Sequence, residues 1–400
     1  MLNVDAAADR RDFTVRAAFD VADGERVALF GPSGAGKTTV LEVIAGLVTP
    51  ARGRVELGGR VLTCTDAPAV AVPPWLRRVG LLRQDPGLFP HLTVRANLTY
   101  ARSSRSSRSA RSGSAGGELA GAAGAPGGRP GSGGGRSGAG GSELSEIAAS
   151  LGIDGLLAAM PARLSGGQRH RVALGRLLLA HCDALLFDEP FASLDAALRR
   201  SLTALVKDLS SQRSVPSVLV THQLSDAQAF ADRLLVMDRG AILQAGAPDE
   251  VVLRPASRRV AELVGYLGFV PAGEAGAGAD RSGGTRDGGG VGGVNSGGPV
   301  RNASRSGLGA SDVVAGVHPD RVVPGADQTR GLVVTGTVTA ARPSGAGWEA
   351  DVLVGDAPFT CRLPSRPAGA ELSVTVLDPP YFGPDGSLRE PTRSRSPDTA

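Results

Sequence analysis

The segment that most constrains this chain is Gly31-Pro32-Ser33-Gly34-Ala35-Gly36-Lys37-Thr38-Thr39. It follows a short apolar run, Val27-Ala28-Leu29-Phe30, and precedes residues 38–47, where Val40, Leu41, Ile44 and Leu47 recur at helical spacing until Thr49-Pro50. An apolar run closed by Gly-Pro reads as a buried strand, and the periodic stretch as a helix. Between a strand and a helix, the pattern GxxxxGK[ST] is an anion cradle. Its glycines let backbone N–H groups converge on phosphate oxygens, and the helix N-terminus adds partial positive charge. Lys37 is then placed to bridge β- and γ-phosphates, and Thr38 to hold Mg²⁺. Only two of the 43 basic residues are lysines, Lys37 and Lys207. In so arginine-rich a chain, a retained lysine points to a need for its compact ammonium.

The pattern around this motif predicts an α/β domain with a largely parallel core sheet. Val55–Leu57 and Val61-Leu62 around Gly58-Gly59 read as a hairpin, and Val79–Leu82, Ala184–Phe187 and Ser217–Val220 as strands. Helices are expected over 143–160, 167–180 and 196–209. Past residue 312 the pattern becomes all-β: Leu332–Thr339, Trp348–Val354, Phe359–Leu363 and Leu372–Val376 are short strands broken by Gly and Pro, a small barrel-like unit. Of the 57 glycines, 28 fall in 101–142 and 271–311, which hold almost no large apolar side chains. Such stretches cannot bury enough surface to offset chain entropy and are expected to be disordered. The organisation predicted is thus a domain over 1–270 carrying the insert 101–142, a linker 271–311, a β domain over 312–380 and a tail over 381–400.

Charge and cysteine usage narrow the function. The formal charge is +4, but 101–142 holds six arginines against Glu118, so the remainder of the chain is close to −1. No basic folded surface for nucleic acid is expected. Cys64, Cys182 and Cys361 lie far apart, with neither a disulfide framework nor a zinc pattern, which suits a reducing cytoplasm. Met1–Asp5 has no secretory pattern and no 18-residue apolar stretch occurs, so any membrane role is expected to come through a partner.

Three further patterns carry chemistry. Leu185-Leu186-Phe187-Asp188-Glu189-Pro190 is an apolar strand delivering two carboxylates to its C-terminal end. Asp188 is suited to Mg²⁺ through water, and Glu189 to polarising an attacking water as general base. Ser165-Gly166-Gly167-Gln168 opens a helix as a second anion cradle. Two cradles cannot sensibly serve one γ-phosphate from opposite sides, so the second points to a nucleotide held by a partner.

At these residues the sequence resembles the ATP-binding subunits of ABC transporters, over about residues 13–268 apart from the insert. The resemblance implies a P-loop NTPase fold with a helical subdomain, binding ATP with Mg²⁺. It implies that Ser165–Gln168 caps ATP on the opposing copy of a head-to-tail dimer. Gln84 resembles the Q-loop glutamine that senses Mg²⁺ and water, Asp195 in Ser193-Leu194-Asp195 the dimer-spanning D-loop, and His222 the switch histidine on the γ-phosphate. One element departs: Ala6–Asp12 has no aromatic where the family stacks adenine, and Phe13 reads as part of the first strand.

A single ATP-binding domain without spans is similar to bacterial importer subunits, in which the permease is a separate chain and an extracytoplasmic binding protein delivers cargo. That implies a peripheral place on the cytoplasmic face of the membrane. Gly316–Val322 and the single small β unit resemble the TOBE-type domain of that subclass. Gln84–Tyr100, with Asn97-Leu98 and Tyr100, and Leu174-Gly175-Arg176 look most like the molybdate importers. Sulfate, iron(III) and polyamine importers share most of these features. A soluble non-transport ABC ATPase would want a second phosphate-binding loop or a long coiled coil, and neither occurs. A third reading makes the C-terminal unit an oxyanion sensor.

Overall fold

The strand before the glycine-rich loop lies in the middle of a sheet, which is what its uninterrupted apolar run requires. A computed structural model describes residues 1–100, 138–191, 194, 196–271, 314–326, 331–345 and 347–389. The expected disordered stretches fall almost wholly outside these residues, as does Asp195.

In chain order the N-terminal unit, Met1–Asp249, contains β1 (Leu2–Asp9), β2 (Thr14–Val21), β3 (Arg26–Phe30), α1 (Lys37–Ala45), β4 (Arg52–Leu57), β5 (Arg60–Cys64), β6 (Val70–Ala71) and β7 (Val79–Leu82). A helix, α2, covers 94–100. Then come α3 (Gly138–Ser150), α4 (Gly166–Leu178), β8 (Ala184–Asp188), α5 (Ala196–Arg213), β9 (Ser217–Thr221), α6 (Leu224–Phe230), β10 (Arg233–Asp238) and β11 (Ala241–Gly246). Helix α7 (Pro248–Leu253) crosses the boundary between the units.

Two sheets result. The order β11-β10-β3-β9-β8-β7 is parallel except for β11, and β2-β1-β4-β5-β6 is antiparallel. Helix α1 contributes Val40, Leu41, Val43 and Ile44 to a core shared with both sheets, including Val4, Val15, Leu29, Leu186 and Val220. A second core gathers Leu98, Leu144, Ile147, Leu151, Leu174 and Leu178 of the helical part beneath Leu185, Phe187 and Leu219 of the parallel sheet. In the antiparallel sheet β4–β5 is the hairpin expected around Gly58-Gly59, whereas the pairing of β1 with β2 and β4 was not anticipated. The sheet's first strand, Leu-Asn-Val-Asp-Ala-Ala-Ala-Asp, is rich in alanine, whose strand propensity is low, and its burial comes from pairing and packing.

The second unit begins at Glu250, ahead of the expected boundary near 270. It holds α8 (Arg258–Leu263), β12 (Gly268–Pro271), β13 (Val314–Val317), β14 (Val322–Pro324), β15 (Leu332–Ser344), β16 (Gly347–Val354), β17 (Ala357–Leu363), β18 (Glu371–Val376), β19 (Tyr381–Phe382) and β20 (Leu388–Arg389). The boundary moves because β12 pairs with β13 and β17, and residues 381–389, expected as tail, extend the same sheet through β19 and β20. Its core is Val317, Ala350, Val352, Phe359, Cys361 and Val374. Among the described residues no helix is long and apolar enough to cross a membrane.

Candidate functional site

The C-terminal ends of β3, β9 and β8 are neighbours in the parallel sheet. Phe30 pairs with Thr221, and Asp188 with Val220, so Gly31, His222 and Glu189 leave the same edge side by side. Open parallel sheets gather their ligands at this edge.

From β3 the chain turns through Gly31–Gly36 into α1. A Cβ on Gly31 would stand 2.0 Å from the Met237 carbonyl oxygen of β10, so only glycine fits. Gly36 caps α1 at φ 101°, with no side chain capping the helix. The first N–H groups of α1 therefore remain available to an anion, in a region of positive helix-end charge. Lys37 Nζ is folded into this loop, donating to the carbonyls of Gly31 and Pro32, each at 2.8 Å. Lys37 is 5% exposed; burial lowers its pKa, and the charges of Glu189 and Asp188 oppose that shift.

Thr38 Oγ1 donates to Asp188 Oδ1 at 3.2 Å. Burial raises the Asp188 pKa above the ordinary carboxylate range, opposed by the Thr38 hydrogen bond and reinforced by Glu189. A hydroxyl and a partly desolvated carboxylate converging at an uncapped helix N-terminus form a donor set suited to a hard cation with few protein ligands. The residues present thus fit Mg²⁺, with Thr38 and Asp188 as the protein contribution.

Glu189 adopts φ 50°, uncommon for a residue with a side chain, and its N–H donates to the Val220 carbonyl at 3.0 Å. That turn swings the carboxylate off the strand axis to meet the His222 ring: Oε1 lies 2.9 Å from Nδ1. Backbone strain of this kind collects where a side chain must be aimed. Proton transfer at a water between this carboxylate and a phosphate is within the chemistry of the pair.

The remaining sequence-derived residues sit less directly. Gln84 is exposed just after β7 and makes no hydrogen bond to Thr38 or Asp188 among the described residues. Ser165 and Gln168 cap α4 reciprocally: the Gln168 N–H donates to Ser165 Oγ at 3.2 Å, and the Ser165 N–H to Gln168 Oε1 at 2.8 Å. Their side chains thus close the helix end, and a Cβ on Gly166 or Gly167 would meet only open space. The free face of this cradle is backbone. Phe13 lies outside the strands, against Gly240, with its ring among the partly buried residues of the first core.

Sequence reasoning missed His170 of α4. It is 6% exposed and buried close to the Pro190 backbone, next to Glu189, and its Nε2 has no hydrogen-bond partner among the described residues. Burial lowers its pKa, and the Pro190 hydrogen bond opposes that. A histidine six residues before Arg176 on an otherwise apolar helix face was the available signal. Arg10 was also missed: its guanidinium reaches Thr39 at 2.9 Å.

Residues 15–192 match the family model described as ABC transporter. The Molybdenum import ATP-binding protein ModC of Mesorhizobium japonicum is 36% identical over 259 residues, 65% of this chain and 61% of that protein. The Sulfoquinovosyl glycerol transport ATP-binding protein SmoE of Agrobacterium fabrum is 32% identical over 364 residues, 90% of this chain and 89% of that protein. The Fe(3+) ions import ATP-binding protein FbpC of Pseudomonas fluorescens is 37% identical over 250 residues. The first and third matches each span 61% of the relative's length, whereas the second runs nearly end to end. With a P-loop, two strand-end carboxylates and a histidine on one sheet edge, and a relative aligned over 89% of its length, the chain belongs to the ABC transporter family of ATP-binding proteins.

Proposed function

We propose that this chain is the ATP-hydrolysing subunit of an ABC importer, acting as a head-to-tail pair on the cytoplasmic face of the membrane and docked on separate permease subunits. The observation that carries this is the convergence of the Thr38–Asp188 and Glu189–His222 pairs at the uncapped N-terminus of α1. Within residues 31–39 the backbone N–H groups, which Pro32 lacks, bind the phosphates, and Lys37 moves from the carbonyls of Gly31 and Pro32 onto β- and γ-phosphate oxygens. Thr38 and Asp188, with Gln84 reaching in from β7, would hold Mg²⁺, Asp188 through water; the ion shields phosphate charge when bound. Glu189 accepts the proton of the attacking water, and His222 holds that carboxylate and contacts the γ-phosphate. The backbone of Gly166 and Gly167 at the α4 N-terminus faces ATP on the second copy.

Molybdate is the cargo we favour, delivered by an extracytoplasmic binding protein. Supporting it is the 36% identity to the molybdenum import relative. In this reading the segment after β7 faces the permease. Arg176 donates to the Pro86 and Gly87 carbonyls and stands 5.3 Å from the centre of the Phe89 ring. The buried Asn97 amide is bonded to Phe89, Leu92 and Thr93. These contacts tie the segment together, and in this reading it relays closure of the ATP site to the permease. A strain lacking this chain should lose molybdoenzyme activity at low external molybdate and recover it at high molybdate. Molybdoenzymes unaffected, with growth instead limited by a sugar anion, sulfate, iron or polyamine, would reassign the cargo and leave the ATPase reading standing. Failure of the purified chain to hydrolyse ATP with its permease would overturn that reading.

A further inference from the structure

His222 leaves β9 at the edge where Glu189 waits, and its side chain is 44% exposed, so packing alone does not fix the ring. On its N-terminal side the sheet holds it, because Thr221 pairs with Phe30 of β3. On its C-terminal side α6 begins at Gln223, with no side chain of its own capping the helix. The Gln223 N–H donates to Thr221 Oγ1 at 3.0 Å, a bond that folds the turn back onto β9 itself.

What ties this turn to another element is Arg199, on the first turn of α5. Its Nη1 donates to Gln223 Oε1 and stands 3.5 Å from Asp226 Oδ1 of α6. Its Nη2 donates to the Leu194 carbonyl at 3.2 Å. Leu194 is a firm attachment point: it is 8% exposed, it packs in the second core with Phe191, and its N–H donates to the Phe191 carbonyl at 3.2 Å. Glu189 stands on the same segment, five residues earlier. One guanidinium therefore joins the turn that carries His222 to the segment that carries Glu189. A rigid planar fork can hold acceptors on two loops at a set angle, which a single ammonium cannot.

Stability alone is a poor reason for this arrangement. Asp226 is 5% exposed; burial raises its pKa, and the charges of Arg199 and His222 oppose that shift. Arg199 Nε is buried with no hydrogen-bond partner among the described residues. Desolvation cancels much of the attraction in a buried ion pair, and a stranded N–H adds to the cost. What the pair supplies is one fixed relation between two loops.

We propose that Arg199, with Asp226, is a positioning residue for hydrolysis, holding His222 against Glu189 and the γ-phosphate by fixing the turn on which it stands. The proposal rests on the ATPase reading above. Glu189 Oε1 lies 2.9 Å from His222 Nδ1, and release of the turn lengthens that contact without touching the phosphate loop.

The test measures kcat and KM for ATP, with thermal melts, on the full chain with its permease. The variants are Arg199→Lys, Arg199→Met paired with Asp226→Leu, His222→Ala, and that pair combined with His222→Ala. The Met/Leu pair strands no charge, so it should melt near wild type. Its kcat should fall about 10–100-fold, as misplacement of a reacting group does, with KM nearly unchanged. Arg199→Lys keeps the charge beside Asp226 without the fork and should lose turnover in the same way. In the His222→Ala background the Met/Leu pair should cost nothing further, because a residue that acts through another has no effect once that one is gone. A Met/Leu pair within about threefold of wild-type kcat, a lysine variant as active as wild type, or a full additional loss in the His222→Ala background would each overturn the proposal. His222→Ala turning over as fast as wild type would overturn it together with the role given to His222. A wild-type complex that hydrolyses no ATP would overturn the ATPase reading on which both rest. If the Met/Leu pair melts low, the lysine variant carries the decision.

Discussion

Replacing Glu189 with Gln separates the chemistry of the site from its architecture. The amide oxygen can still accept from His222 at the observed 2.9 Å, and glutamine meets the φ of 50° at the same cost as glutamate. His222 is 44% exposed, so solvent screens the lost charge, and the stability change should stay within about 1 kcal/mol. Neither the Thr38–Asp188 contact nor the Lys37 bonds involve the Glu189 side chain, so ATP affinity should persist. Only the proton acceptor is removed. Loss of a positioned general base slows turnover by about 10²–10⁴, which raises the barrier by about 3–5 kcal/mol. Single-turnover hydrolysis, equilibrium ATP binding and a thermal melt on one preparation measure the three quantities. Turnover within about threefold of wild type, with binding intact, would show that Glu189 is not the base.

Other outcomes follow from the same geometry. Gly31→Ala places a methyl 2.0 Å from the Met237 carbonyl; the loop must shift, costing about 1–3 kcal/mol by denaturant titration and lowering ATP affinity. Arg77→Ala deletes a buried guanidinium that donates to the carbonyls of Val43, Ile44 and Val72 and to Thr63, closing the C-terminal end of α1. The stranded acceptors should cost about 2–4 kcal/mol, and a urea midpoint unchanged from wild type would contradict this. His170 has a folded pKa below its ordinary 6.5, so the unfolded chain binds its proton first. Its contribution to stability is present above pH 6.5 and is lost as pH falls from there toward the folded value. Since the second unit's His318 shifts the same way, the check is a flatter stability-against-pH curve below 6.5 in His170→Gln, with the His318 part left behind.

The local chemistry was legible in sequence because each motif is short and its backbone demands are written in residue type. Gly31–Thr38 needs glycines where Met237 crowds the chain and where α1 starts at φ 101°. The strand that ends at Asp188 is buried at all five of its residues, as its apolar run required. The α4 start at Gly166 was marked by Ser165 and Gln168, although the reciprocal cap appears only when both side chains are placed. What sequence could not supply was anything made by residues distant along the chain. The order β3-β9-β8 depends on strand pairing between separate segments: β3 meets β9 across more than 100 residues, and β8 meets β9 to set His222 beside Glu189, 33 residues away. The alanine-rich β1 is a strand because β2 and β4 pair with it, and residues 250–271 join the second unit because β12 finds β13 across the linker. Arg10 meets Thr39 for the same reason: the antiparallel hairpin packs on α1 through Val15. Backbone motifs are fixed by local sterics and hydrogen bonding, whereas these contacts are selected by burial and pairing of the whole chain, which no window of sequence contains.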